Sequence, residues 1–225
     1  MDVNAPPIAI VDVGVGNLRS VERALAFVLG EDAKALTITR DAGLVREARV
    51  VVMPGQGAFG DCSVALARDG GALARAITDH IVGGRAYLGI CLGLQVLFEG
   101  SEEAPGRSGL GVFRGTVRRF RDDLRDADGA RVKVPHMGWN RVALKNEGAR
   151  FLREAHWFYF VHSYYVVPDD PSLVAGETTH GESFVSAVAR GKMLGVQFHP
   201  EKSQRAGLAL LRAFFDEARR AEVSR

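Results

Sequence analysis

Three short runs, "IAIVDV" (8–13), "VVVM" (50–53) and "AYLGI" (86–90), are apolar almost without interruption. A strand with one wet face alternates apolar and polar residues. Unbroken runs of this length therefore predict strands covered on both faces, as in a parallel sheet clothed by helices. Between the first two, Leu18, Val21, Leu25 and Val28 recur at helical spacing, and "ALTIT" (35–39) adds a further strand. This strand–helix–strand order predicts right-handed crossovers and a mostly parallel sheet.

The second half is richer in strands. "GTVRRF", "VKVPHMGWNRVAL", "HWFYFVHSYYVV", "LVAGET", "SFVSAVARG" and "MLGVQFH" are separated by turn-like residues, with connections too short for helical crossovers. Much of this half is therefore expected to be antiparallel. Leu208, Leu211, Phe215 and Ala218 form the apolar stripe of a closing helix. The expected fold class is α/β, with a mostly parallel central sheet flanked by helices and an added antiparallel sheet. A chain of 225 residues suits one domain, taken here as 1–225.

Composition excludes more than it selects. A formal net charge of +2 gives no electrostatic case for nucleic acid or a membrane surface. No apolar stretch reaches the length of a spanning helix. "MDVNAPPIAIVDVG" lacks a charged segment before a long apolar core, so no signal peptide is expected and the reading is cytoplasmic. Two cysteines, Cys62 and Cys91, are too few for a disulfide framework or a zinc site. His136, His156 and His162 match no metal-ligand spacing, so neither metal nor cofactor is expected. "GVGNLRS" (14–20) lacks the third glycine of a dinucleotide fingerprint and reads as a tight strand-to-helix turn.

Gly89-Ile90-Cys91-Leu92-Gly93 sits where an apolar strand ends and a helix is expected to begin. Its form, G-x-C-x-G, is the thiol counterpart of a nucleophile elbow. Glycines on either side would let strand and helix pass closely, and the helix N-terminus would favour a thiolate. Taken alone, the pattern leaves a buried structural cysteine open. A thiolate nucleophile needs a base, and the base an orienting partner. "GVQFHPEKS" (195–203) supplies both. Val196–Phe198 reads as a strand with His199 at its end, and Glu201 would point the same way by strand alternation. Cys62 has no such context and reads as packing.

With these stretches in view, the chain resembles the class I glutamine amidotransferases, and within them the glutaminase subunits of imidazole glycerol phosphate synthase. The resemblance is carried by "DVGVGNLRSV", "MPGQGAFGD", "GICLGLQVLFEGSEE", "PHMGWN", "FVHSYY" and "GVQFHPEKSQ", in the family's order along the chain. It implies that Cys91 forms a γ-glutamyl thioester, that His199 moves the protons, and that Glu201 orients His199. The backbone of Leu92 would donate to the oxyanion, with a second donor from the Gly55-Gln56 peptide, which in relatives is thought to flip. Relatives often carry an apolar residue at the position of Gln56. Gln95, Glu103, Ser163 and Tyr164 would hold the substrate, glutamine. Ammonia would pass to a cyclase subunit, a (β/α)8 barrel, in a heterodimer, with Asn17, Trp139 and Lys202 at the joint. The cyclase would make imidazole glycerol phosphate and an aminoimidazole carboxamide ribotide for histidine biosynthesis. The alternatives are an amidotransferase subunit serving another synthase, against which "PHMGWN" argues, and a silent module that keeps only the fold.

Overall fold

A computed structural model describes residues 7–14, 16–152 and 154–223. The first half runs β1 (Ile8–Val11), α1 (Leu18–Leu29), β2 (Leu36–Thr39), α2 (Ala42–Glu47), β3 (Val50–Gly55), α3 (Phe59–Val82), β4 (Ala86–Cys91) and α4 (Leu92–Gln95). The second half runs β5 (Gly100–Ser101), β6 (Gly115–Arg119), β7 (His136–Leu144), β8 (His156–His162), β9 (Tyr164–Pro168), β10 (Val174–His180), β11 (Glu182–Arg190), β12 (Met193–Val196) and α5 (Gln204–Val223). The sheet order is β2-β1-β3-β4-β12-β11-β10-β7-β8, and a branch joins β5 to β6, β6 to β9 and β9 to β11.

The first five strands of that order are mutually parallel. Every residue of β1, β3, β4 and β12 is buried, which is why their sequences do not alternate. Ile8, Ile10, Val50, Val52, Leu88 and Ile90 pack under α1 and α5, whereas Ala9, Val11, Val51, Met53 and Tyr87 pack under α2 and α3. Among the described residues no helix is long and apolar enough to cross a membrane. The expected α/β fold is present. The antiparallel strands β11, β10, β7 and β8 extend the central sheet rather than forming a separate one.

Four local expectations differ. The run "HWFYFVHSYYVV" breaks at Ser163 into β8 and β9, which pair with different strands. The helix after Cys91 is only four residues long. Its end tightens to bonds from Leu97 N to the Leu94 carbonyl and from Phe98 N to the Gln95 carbonyl. The carbonyls of Val96, Leu97 and Phe98 then accept from Leu110, Phe113 and Gly111, so the helix cannot continue. β12 stops at Val196, and Glu201 lies on a 3-10 turn over Pro200–Lys202. Strand β7 begins at His136, after a cis Val134–Pro135 peptide. Residues 1–6, read above for a signal peptide, and Val15 within the 14–20 turn lie outside the described residues.

Candidate active site

Cys91 holds φ 54° and ψ −102°, a conformation that non-glycine residues rarely adopt. The turn is enforced by packing on both sides. A Cβ on Gly89 would overlap the Gly93 carbonyl, and one on Gly93 would overlap the Met53 carbonyl of the neighbouring strand. The Tyr87 hydroxyl donates to the Gly93 carbonyl at 2.8 Å and ties the elbow back to β4. Cys91 ends up 8% exposed. With only four residues behind it, the following helix has little macrodipole to offer the sulfur.

Both partners of the sulfur come off the end of β12. Parallel register pairs Gly195 with Gly89 and Val196 with Ile90, so the chain past Val196 runs alongside Cys91. His199 Nδ1 donates to Glu201 Oε1 at 2.8 Å, with both side chains almost fully buried. The pair meets as expected, but through the geometry of the 3-10 turn rather than strand alternation. His199 Nε2 is buried without a hydrogen-bond partner among the described residues. Burial works against its charged form. The Cys91 sulfur and the Glu201 carboxylate outweigh it and hold the imidazole up at about 9.

One cavity of about 460 Å³ is lined by Gln56, Cys91, Leu92, Gln95, Glu103, Ser163 and Tyr164, together with Gly57, Pro135, Val161 and His162. The four residues expected from sequence to bind the substrate, Gln95, Glu103, Ser163 and Tyr164, thus line one space. Gly55 is not on this wall. It lies beside Cys91 in the β3–β4 register, where a Cβ would come within 2.7 Å of the Leu92 Cβ. Gly16, in the preceding turn, packs onto the Gln56 backbone, and a Cβ there would stand 3.0 Å from Gln56 N. Glu103 Oε2 accepts from the Phe59 backbone N–H at 2.7 Å, so it anchors the start of α3 while facing the cavity.

The far wall is set by a chain of histidines. Asn140 Nδ2 donates to His136 Nε2 at 3.2 Å, His136 Nδ1 to His162 Nε2 at 3.0 Å, and His162 Nδ1 to the Tyr164 carbonyl at 2.8 Å. Burial pushes both His136 and His162 down to about 3, so both are neutral, as this one-way chain requires. Among the described residues no cluster of three or more His, Cys, Asp or Glu could hold a metal. Cys62 is fully buried on the inner face of α3, and burial pushes its thiol up to about 12, which suits packing and not reactivity.

Sequence reasoning missed Gln197. It is completely buried, donates from Nε2 to Cys91 Sγ at 3.5 Å, and accepts from Gln95 Nε2 at 3.2 Å. The available signal was a polar residue inside the apolar run Val196–Phe198, directly before His199. The expected interface residues come from three elements. Trp139 is 44% exposed, with its ring centroid 6.2 Å from that of Tyr159 in an edge-on arrangement, and Lys202 Nζ lies 5.9 Å from the Tyr159 ring centroid. Asn17 caps the start of α1 through Ser20 N, and α1 packs against the 3-10 turn that carries Lys202.

The family model described as "Glutamine amidotransferase class-I" matches residues 9–218, and the chain belongs to that family. Solved structures agree at the level of fold. A glutamine amidotransferase aligns over 94% of this chain and 98% of its own at TM-score 0.67 and 20% identity. One from Thermotoga maritima aligns over 98% and 87% at TM-score 0.55 and 16% identity. Curated relatives narrow the membership, each named "Imidazole glycerol phosphate synthase subunit HisH". The protein from Nitrosomonas europaea is 46% identical over 92% of this chain and 96% of its own. That from Syntrophotalea carbinolica is 44% identical over 93% and 99%, and that from Pyrococcus furiosus 43% over 92% and 97%. Within the class, the chain therefore belongs with HisH.

Proposed function

We propose that Cys91 releases ammonia from glutamine by attacking its side-chain amide carbon. As a HisH family member, the chain is the glutaminase subunit of imidazole glycerol phosphate synthase, an enzyme of histidine biosynthesis. The tetrahedral oxyanion is received by the Leu92 N–H and, in the active state, by a donor from the Gly55-Gln56 peptide. His199 gives its proton to the departing ammonia, leaving a γ-glutamyl thioester. Acylation removes the sulfur's negative charge, one of the influences that hold the imidazole at about 9. His199 is then neutral and can take a proton from water. The resulting hydroxide displaces the thiolate and yields glutamate, and the imidazolium is restored. Glu201 keeps the ring in the required tautomer.

One observation carries this reading: a strained, slightly exposed thiol beside a buried imidazole that the sulfur itself helps to protonate. The substrate's amino-acid end would lie along Gln95, Glu103, Ser163 and Tyr164. The chain works as one domain in the cytoplasm, without metal or cofactor. As a subunit it has a partner, which we take to be a (β/α)8-barrel cyclase in a heterodimer. The supporting surface is the outer face of β7–β8, where Met137, Trp139 and Trp157 are 63%, 44% and 59% exposed. Val161 on this hairpin and Pro135 just before it also line the cavity, so the face reaches its rim. Ammonia could cross there without meeting bulk water.

Acid quenching during turnover, followed by mass spectrometry, tests the covalent step. A γ-glutamyl adduct is expected on Cys91 and none on Cys62. Glutamine turnover in Cys91→Ala at a rate near the unsubstituted protein's would overturn the mechanism.

A further inference from the structure

Gln197 is a fully buried primary amide to which the thioester chemistry above gives no role. Its backbone N–H donates to the Ser186 carbonyl at 2.9 Å, which fixes the residue at the end of β12 beside Cys91. The orientation of its side chain is determined by its neighbours. The Tyr164 carbonyl can only accept, so the Gln95 nitrogen must face it, at 3.0 Å. That nitrogen also approaches Gln197 Oε1 at 3.2 Å, which turns Gln197 Nε2 toward the Cys91 sulfur at 3.5 Å. Amide polarity thus runs one way, from a backbone carbonyl in the substrate wall to the nucleophile.

We propose that Gln197 is a catalytic residue of this glutaminase, donating an amide N–H to the Cys91 sulfur while its carbonyl holds Gln95 in place along the substrate cavity. The proposal rests on the reading of Cys91 as the nucleophile. A thiolate is a charged acceptor in a largely dry site, and a donor already aimed at it costs no reorganisation during the reaction. The bond is strongest when sulfur carries charge, before attack and again as the thiolate leaves the tetrahedral intermediate during hydrolysis. It weakens in the neutral thioester. Gln197 therefore favours both the attacking and the leaving form of the same atom. Holding Gln95 couples this donor to substrate binding, so the residue should act on kcat and, less strongly, on KM.

The test uses the assembled synthase with Gln197→Leu and Gln197→Glu. Leucine keeps an apolar approximation of the volume. Glutamate keeps an acceptor for Gln95 but places a carboxylate at the sulfur. Removing one donor to a charged group should lower kcat for glutamine by about 10- to 100-fold in Gln197→Leu. The pH profile of Cys91 alkylation by iodoacetamide should move to higher pH in Gln197→Leu, and further in Gln197→Glu. Thermal melting and complex formation report folding, and Gln197→Glu serves if Gln197→Leu does not fold. An unshifted alkylation profile with kcat/KM within about twofold of the unsubstituted protein would overturn the proposal. Failure of a glutamine-derived chloroketone to label Cys91 in the unsubstituted protein would instead sink the nucleophile reading beneath it.

Discussion

A methyl group on Gly93 would overlap the Met53 carbonyl, although Gly93 is not among the positive-φ glycines. Close approach, and not conformational freedom, is what this position requires. Gly93→Ala should therefore cost about 3 kcal/mol, the upper range for overpacking, seen as a lowered melting temperature. A melt superimposable on that of the unsubstituted chain would contradict the close-packing account of the elbow. At His199 the sign of the pH effect follows from a raised imidazole. Its charged form persists through neutrality and is lost as pH rises through about 9. Stability from the His199 interactions is fully present below the ordinary histidine value of 6.5 and lost across the same alkaline window. Glutamine kcat/KM, which reports the free enzyme, should decline along an alkaline limb near pH 9. A limb centred near the ordinary histidine value would contradict the pairing with sulfur.

The elements nearest the site differ in how far sequence could announce them. Buried parallel strands were legible because "VVVM" and "AYLGI" have no polar face to offer water. The elbow and its histidine were legible because strain and proton transfer restrict residue type to glycine, cysteine, histidine and carboxylate. The length of α4 was not, since Leu94, Val96, Leu97 and Phe98 are all buried and would look the same in a longer helix. What ends the helix is the distant loop of Gly109–Phe113, which claims its carbonyls, and no local pattern reports that. The break at Ser163 was hidden likewise, because aromatic residues suit both β8 and β9. At the β7–β8 hairpin, Trp139 and Lys202 both meet Tyr159. The Tyr159 carbonyl accepts from His199 N at 2.9 Å. An outer aromatic cluster is thus one hydrogen bond away from His199. Trp139→Ala should weaken partner binding by about 2 kcal/mol or more, as for an interface anchor. Unchanged affinity in a titration would remove Trp139 from the interface.

For the whole molecule, the decisive feature is a division of labour. On the reading proposed above, the cavity around Cys91 takes glutamine apart, and the HisH family membership implies another subunit that uses the nitrogen. The sheet supports this separation. Its parallel half fixes Cys91 and the β12 end, while its antiparallel extension carries the exposed face proposed to meet the partner. Damage to the elbow should then remove one nitrogen source and spare the other. The most direct measurement is cyclization by the assembled synthase carrying Cys91→Ala, supplied in parallel with glutamine or with an ammonium salt at high pH. The account predicts no product from glutamine and nearly full activity from ammonia. Equal loss with both donors, or product from glutamine near the unsubstituted rate, would contradict it.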